Sequence, residues 1–261
     1  MCIFNAMQAV IELKDIKRSF KNHFWQKKKQ VLEGISLQIR EGEVFGFLGP
    51  NGAGKTTTIK IITGLIRPDS GCVSIFGMTP HSLSAKQRIG FLPESPYFYE
   101  HLTGYEFLKI HAVLSNLEKY KERTFTLLER VGLKDAMHVQ LRSYSRGMLQ
   151  RIGIAQAMIG SPDLLILDEP LTGLDPIGRK EIKDLILEEK SKGTTIFFSS
   201  HILPDAEAVC DRIGIVIQGR IKEIGDMSTL LKKGLQADKI TLEDWFVDQV
   251  KATAEKRGTT R

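Results

Sequence analysis

The sequence predicts an α/β fold built on a mainly parallel sheet, and three observations carry that prediction. A glycine-rich stretch, Gly49-Pro50-Asn51-Gly52-Ala53-Gly54-Lys55-Thr56-Thr57, follows the apolar run Val44 to Leu48 and leads into a helical stretch ending at Ile62. Leu164-Leu165-Ile166-Leu167 is a run of large aliphatics, which a strand carries when both its faces are covered, as in parallel sheets. Thr195 to Ser200 reads as a further buried strand, reached through a helix over Arg179 to Lys192 that Gly193 closes.

The other elements follow in chain order. Ala9 to Leu13 and Gly34 to Ile39 read as the strands of a small N-terminal antiparallel β subdomain, joined through an aromatic and basic loop with Phe20, Phe24, Trp25 and Lys27-Lys28-Lys29. Cys72 to Phe76 is a short strand after the turn Arg67 to Gly71, and Arg88 to Leu92 is a buried strand ending at Pro93-Glu94. Thr103-Gly104-Tyr105-Glu106 has capping-box spacing and opens a helix. A second helix runs from about Lys119 to Arg130, and a third over Leu149 to Ile159 has one apolar face of Leu149, Ile152, Ala155, Gln156 and Ile159. Ile213 to Ile217 and Arg220 to Ile224 form a hairpin about Gln218-Gly219. The division expected is one domain over 7–240, with a helical subdomain near 95–160, and a short C-terminal helical tail over 241–261.

Bulk properties narrow the classes. A chain of 261 residues buries a sizeable core; its formal charge of +6 suits nucleic acid or an anionic membrane surface but is modest and forms no obvious recognition motif, so it decides little. No apolar run approaches the roughly 20 residues that cross a bilayer, and Met1 to Ala6 lacks the basic and apolar regions of a secretory signal, with Met7 an alternative start. The cytosol is therefore the expected compartment. Cys2, Cys72 and Cys210 are scattered without metal-ligand spacing, so no structural disulfide is expected.

The glycine-rich stretch satisfies the phosphate-loop pattern at every fixed position, Gly49, Gly54, Lys55 and Thr56. Glycines let backbone N–H groups wrap a polyphosphate closely, and the helix beginning near Lys55 adds the positive end of its dipole. Lys55 reaches the β- and γ-phosphates and Thr56 helps to hold Mg2+. Asp168 and Glu169 end the aliphatic strand where open α/β sheets bind ligands; Asp168 suits Mg2+, usually through water, and Glu169 suits polarising an attacking water. His201, at the end of another strand, has the position of a γ-phosphate sensor. Phe20 is the candidate to stack on a nucleotide base, with packing on the N-terminal sheet as the alternative. Tyr144 to Met148 is a hydroxyl-bearing turn before a helix, a second anion site or simply a cap. His111 reads as an ordinary helix residue.

In this order the motifs resemble the nucleotide-binding subunit of ATP-binding cassette proteins, over about Val10 to Gly225. The resemblance implies a P-loop NTPase core in which Gly49 to Thr57 are the Walker A loop and Asp168-Glu169 the Walker B pair. It likewise implies that Ser145 and Gly147 belong to the signature, that Asp175 is the D-loop acid and that His201 is the switch histidine. The signature departs from Leu-Ser-Gly-Gly-Gln at Tyr144, Arg146 and Met148, and Glu94 stands where the family offers glutamine. Both variants, like the ending Leu242-Glu243-Asp244-Trp245-Phe246, are similar to the export-type branch whose ATPase is a separate chain. The resemblance implies ATP and Mg2+, with Thr56, Asp168 and Glu94 near the metal. It also implies a head-to-tail homodimer or paralogous ATPase partner and a transmembrane permease holding the subunit at the cytoplasmic face of the membrane. The rival is a soluble cassette ATPase acting on nucleic acid or ribosomes; absence of a second phosphate loop and of sustained heptads speaks against it, so no nucleic-acid partner is expected. A phosphate-loop kinase or GTPase is a third reading, which would require neither the Ser145 turn nor His201.

Overall fold

The computed structural model describes residues 9–21 and 28–236. Phe24, Trp25, Lys27 and the expected tail over 241–261 lie outside the described residues. Six strands form the main sheet: β3 Val44–Leu48, β5 Ile89–Leu92, β6 Leu164–Asp168, β7 Thr195–Ser200, β8 Arg212–Ile217 and β9 Arg220–Asp226. Their order is β5-β6-β7-β3-β8-β9, parallel throughout except for the antiparallel β8–β9 hairpin. Because β3, β6 and β7 run the same way, Gly49, Glu169 and His201 emerge at one edge of the sheet. That edge is where open α/β sheets bind ligands.

A second sheet packs beside it. β1 Ala9–Phe20 pairs antiparallel with β2 Lys29–Arg40 on one side and with β4 Ser70–Ile75 on the other. Both long strands exceed the stretches expected from the sequence, Ala9 to Leu13 and Gly34 to Ile39. The cause is local: register shifts near Leu13 to Lys17, with Asp15 at φ 47, break the period of two on which strand recognition rests.

The aliphatic strands serve two cores at once. Leu164, Ile166, Phe45, Phe47 and Phe197 face the antiparallel sheet, where they meet Ile11, Ile16 and Ile35. Their neighbours Leu165, Leu167, Leu48 and Phe198 face the helical side with Leu108, Leu127 and Ile152. Alternation along a strand covered on both faces explains why no polar residue interrupts these runs. Phe197 stacks on Phe45 with ring centroids 6.0 Å apart, and is fully buried.

The helices are α1 Lys55–Ile62, α2 Leu83–Lys86, α3 Gly104–Leu114, α4 Tyr120–Arg130, α5 Arg146–Met158, α6 Pro176–Ser191, α7 Leu203–Glu207 and α8 Met227–Gln236. α2 and α7, four and five residues long, are too short to show a helical period, and neither they nor α8 were expected. The capping box of α3 forms as read: Thr103 Oγ1 accepts from Glu106 N and Glu106 Oε2 accepts from Thr103 N. α5 differs from its single-faced reading, since Ile152, Gly153, Ile154, Ala155, Ala157 and Met158 are all buried. It is packed between β5 and the helices α3 and α4, and a Cβ on Gly90 would stand 2.0 Å from the Ala157 carbonyl oxygen. Arg130 of α4 ties this lobe to α6 through Glu189, at 2.7 Å.

The aromatics that follow β5 divide between surface and core. Tyr97 is 87% exposed and Tyr99 53%, whereas Phe98 between them packs on the helical core 5.4 Å from Phe107. Cys210 is a buried free thiol. Among the described residues no helix is long and apolar enough to cross a membrane.

Candidate active site

The phosphate loop requires glycine for two different reasons. Gly52 and Gly54 have φ values of +77 and +107, which side chains disfavour. Gly49 instead stands so close to β8 that a Cβ would lie 2.3 Å from the Val216 carbonyl oxygen. Asn51, Gly52, Gly54, Lys55, Thr56 and Thr57 line a cavity of about 530 Å3. Pro50 and Ala53 shape the loop through their backbones: Ala53 N donates to Pro50 O at 3.1 Å. Lys55 is buried, and its Nζ donates to Gly49 O at 2.6 Å while lying 3.2 Å from Glu169 Oε1.

Phe20 belongs to the same cavity wall, with the Arg18 guanidinium 4.8 Å from its ring centroid. Lys29, Gln30, Val31 and Gln218 complete that wall. None of these was singled out from sequence, because Lys29 reads as loop charge, Gln30 and Val31 precede the strand as read, and Gln218 reads only as a turn.

The two acids occupy different environments. Asp168 is 1% exposed, and burial pushes its carboxyl up from the ordinary range. Hydrogen bonds from Ser199 and Thr56 oppose that rise, while the charges of Glu94 and Glu169 add to it. Ser199 Oγ donates to Asp168 Oδ1 at 2.6 Å and accepts from Glu169 N at 3.0 Å, so one hydroxyl bridges both acids. The sequence signal for Ser199 was a serine directly after the apolar run Ile196-Phe197-Phe198 of a buried strand. Glu169 has φ 54, rare for a residue with a side chain. Its Oε2 lies 2.9 Å from His201 Nδ1 and accepts from Thr172 Oγ1 at 3.2 Å. Its Oε1 is buried, close enough to Lys55 for charge attraction, yet has no aligned hydrogen-bond donor.

These oxygens suit a hard divalent cation. Thr56 Oγ1 lies 3.5 Å from Glu94 Oε2, and the buried carboxyl of Asp168 stands beside them. Among the described residues no group of three or more His, Cys, Asp and Glu side chains forms a metal cage. An ion held mainly by water and substrate oxygens requires no such cage.

Ser145, Gly147 and Asp175 lie elsewhere, with Arg146 and Leu174 along a second cleft of about 470 Å3 that shares no lining residue with the first. Ser145 caps α5 by accepting from Met148 N at 3.3 Å, and Asp175 caps α6 by accepting from Gly178 N at 2.7 Å. That second cap, followed by Pro176, starts α6 three residues before the position expected from the sequence.

The ABC transporter family model matches residues 32–172. The chain is 43% identical over 254 residues to an uncharacterized ABC transporter ATP-binding protein of Nostoc sp., covering 93% of this chain and 76% of that one. It is 38% identical over 241 residues to the bacitracin transport ATP-binding protein BcrA of Bacillus licheniformis, covering 91% and 76%. A solved ATP binding subunit of an ABC transporter aligns with a TM-score of 0.79 at 32% identity, over 92% of this chain and 98% of that one. Across the curated relatives the matched segments span from 64% to 78% of those proteins' lengths. The chain belongs to the ABC transporter family, as an ATP-binding subunit that hydrolyses ATP.

Proposed function

We propose that this ATPase subunit works as a head-to-tail pair enclosing two ATP molecules with Mg2+ and driving a transmembrane partner in export. The observation that carries the reading is the separation of the two clefts. Lys55 and Glu169 stand on one, Ser145, Gly147 and Asp175 on the other, so neither cleft of one chain holds every motif. Two copies related by a two-fold axis, each offering its Ser145 cleft to the other's phosphate loop, complete both sites.

Within each site the phosphate-loop N–H groups and Lys55 bind the polyphosphate, and Phe20 stacks on adenine. Thr56, Asp168 through water, and Glu94 hold Mg2+, which when bound supplies positive charge to the β- and γ-phosphates. Glu169 polarises the attacking water. Its contact with His201 supports the same reading, since a γ-phosphate sensor beside the base would orient it. Export and a membrane-peripheral position on the cytoplasmic side are favoured by BcrA's description as a bacitracin transport protein and by the exposed Tyr97 and Tyr99, which follow Glu94 in the chain. The soluble nucleic-acid ATPase is not favoured, because the similar proteins are transport subunits.

Light scattering on the Glu169→Gln variant tests the pairing. With Mg2+ and ATP its mass should double relative to the nucleotide-free protein; a mass unchanged at saturating ATP would reject the paired site.

A further inference from the structure

We infer that Gly219, in the turn between β8 and β9, is a positioning residue for ATP: it sets the orientation of the phosphate loop from outside the binding pocket. The inference rests on the reading that Gly49 to Thr57 hold the polyphosphate.

Gly219 N donates to Ala53 O at 2.9 Å, and Gly219 O accepts from Glu33 N of β2 at 2.8 Å. The turn therefore joins the phosphate loop to the antiparallel sheet through both polar groups of one residue. The trans-planar peptide makes the first bond consequential, because a carbonyl and the N–H that follows it point in opposite directions. Holding the Ala53 carbonyl toward Gly219 turns the Gly54 N–H to the other side of the loop, and Gly54 is a wall of the nucleotide cavity.

Space around the turn leaves no latitude. Gly219 has φ +73, and a Cβ there would stand 2.1 Å from the Val31 carbonyl oxygen. On the facing side a Cβ on Gly54 would lie 2.6 Å from Leu32 Cδ2 and 3.8 Å from Gly219 Cα. An ion pair from Arg220 Nε to Glu33 Oε2 at 2.8 Å fixes the turn to β2 from the outside. A side chain at position 219 thus has to push the turn off β2, and the Ala53 carbonyl loses the donor that orients it.

ATP titration of the 261-residue chain by calorimetry tests this, with thermal unfolding and KM and kcat measured alongside. Gly219→Ala should weaken ATP binding at least about tenfold and raise KM, with kcat changed less than about threefold. Gly193→Ala is the control, since its φ of +91 imposes a similar backbone cost while a Cβ there meets nothing within 4 Å. It should lower stability but leave ATP affinity within about twofold. Arg220→Ala, at a 62% exposed side chain that threatens no core, should weaken ATP binding about two- to fivefold. ATP affinity in Gly219→Ala within twofold of wild type, or a loss that Gly193→Ala reproduces, would overturn the inference. If Gly219→Ala does not fold, unchanged affinity in Arg220→Ala overturns it. Failure of the wild-type chain to bind ATP would sink the site reading itself, a separate outcome.

Discussion

Glu169 holds left-handed backbone geometry while its carboxylate is shared among Lys55, Thr172 and His201. Such a conformation costs about 1–3 kcal/mol, which the surrounding contacts have to offset, and strain of this kind gathers at functional sites. The side chain is fixed by its neighbours, so its shape and its charge can be separated by substitution. Glu169→Gln keeps the shape and should retain ATP binding while turnover falls at least about a hundredfold. Lys55→Ala removes the buried ammonium and should lose tight binding instead. ATPase assays beside equilibrium ATP titration distinguish the two, and a wild-type rate in Glu169→Gln would remove Glu169 from its role. At this scale the sequence was legible for Lys55, Asp168, Glu169 and His201, because each follows or ends a recognisable strand. Ser199, which bridges both acids, was hidden inside its strand; only the parallel register of β6 and β7 brings it to Asp168.

Elements decide which side chains serve the fold and which remain free to meet a partner. The segment after β5 shows the division, with Phe98 turned inward and Tyr97 and Tyr99 outward. Phe98→Ala should cost about 2 kcal/mol or more in chemical denaturation, whereas Tyr97→Ala should change stability by less than about 0.5 kcal/mol. If Tyr97→Ala also leaves co-purification with a membrane partner intact, these tyrosines are not its contact. His111 gives α3 a pH dependence. Half-buried against Phe107 at 4.7 Å, it is held below the usual histidine range by burial. The unfolded chain then takes up the proton first as pH falls, so stability should decline from about pH 6.5 downward. His111→Gln should flatten that decline; an identical pH profile would deny the burial effect. β6 was legible because its aliphatic run is unbroken, and α6 because it is long and Gly193 closes it. β1 and β2 were read too short because bulges interrupt the pattern, and α2 and α7 escaped because one turn has no period.

The whole molecule sets its motifs at one sheet edge and along a second cleft on the helical lobe, a division that no single element displays. Pairing of copies is the account's central claim, because it alone gives Ser145 and Gly147 access to a polyphosphate. Mixing two inactive variants tests it most directly. Lys55→Ala disables a subunit's own phosphate loop and spares its Ser145 cleft; Ser145→Arg does the reverse. Random re-pairing makes half of the dimers mixed, each with one intact composite site, so an equimolar mixture should recover about a quarter of wild-type ATPase activity. Activity no higher than that of either variant alone, under conditions where the subunits demonstrably exchange, would contradict the shared site.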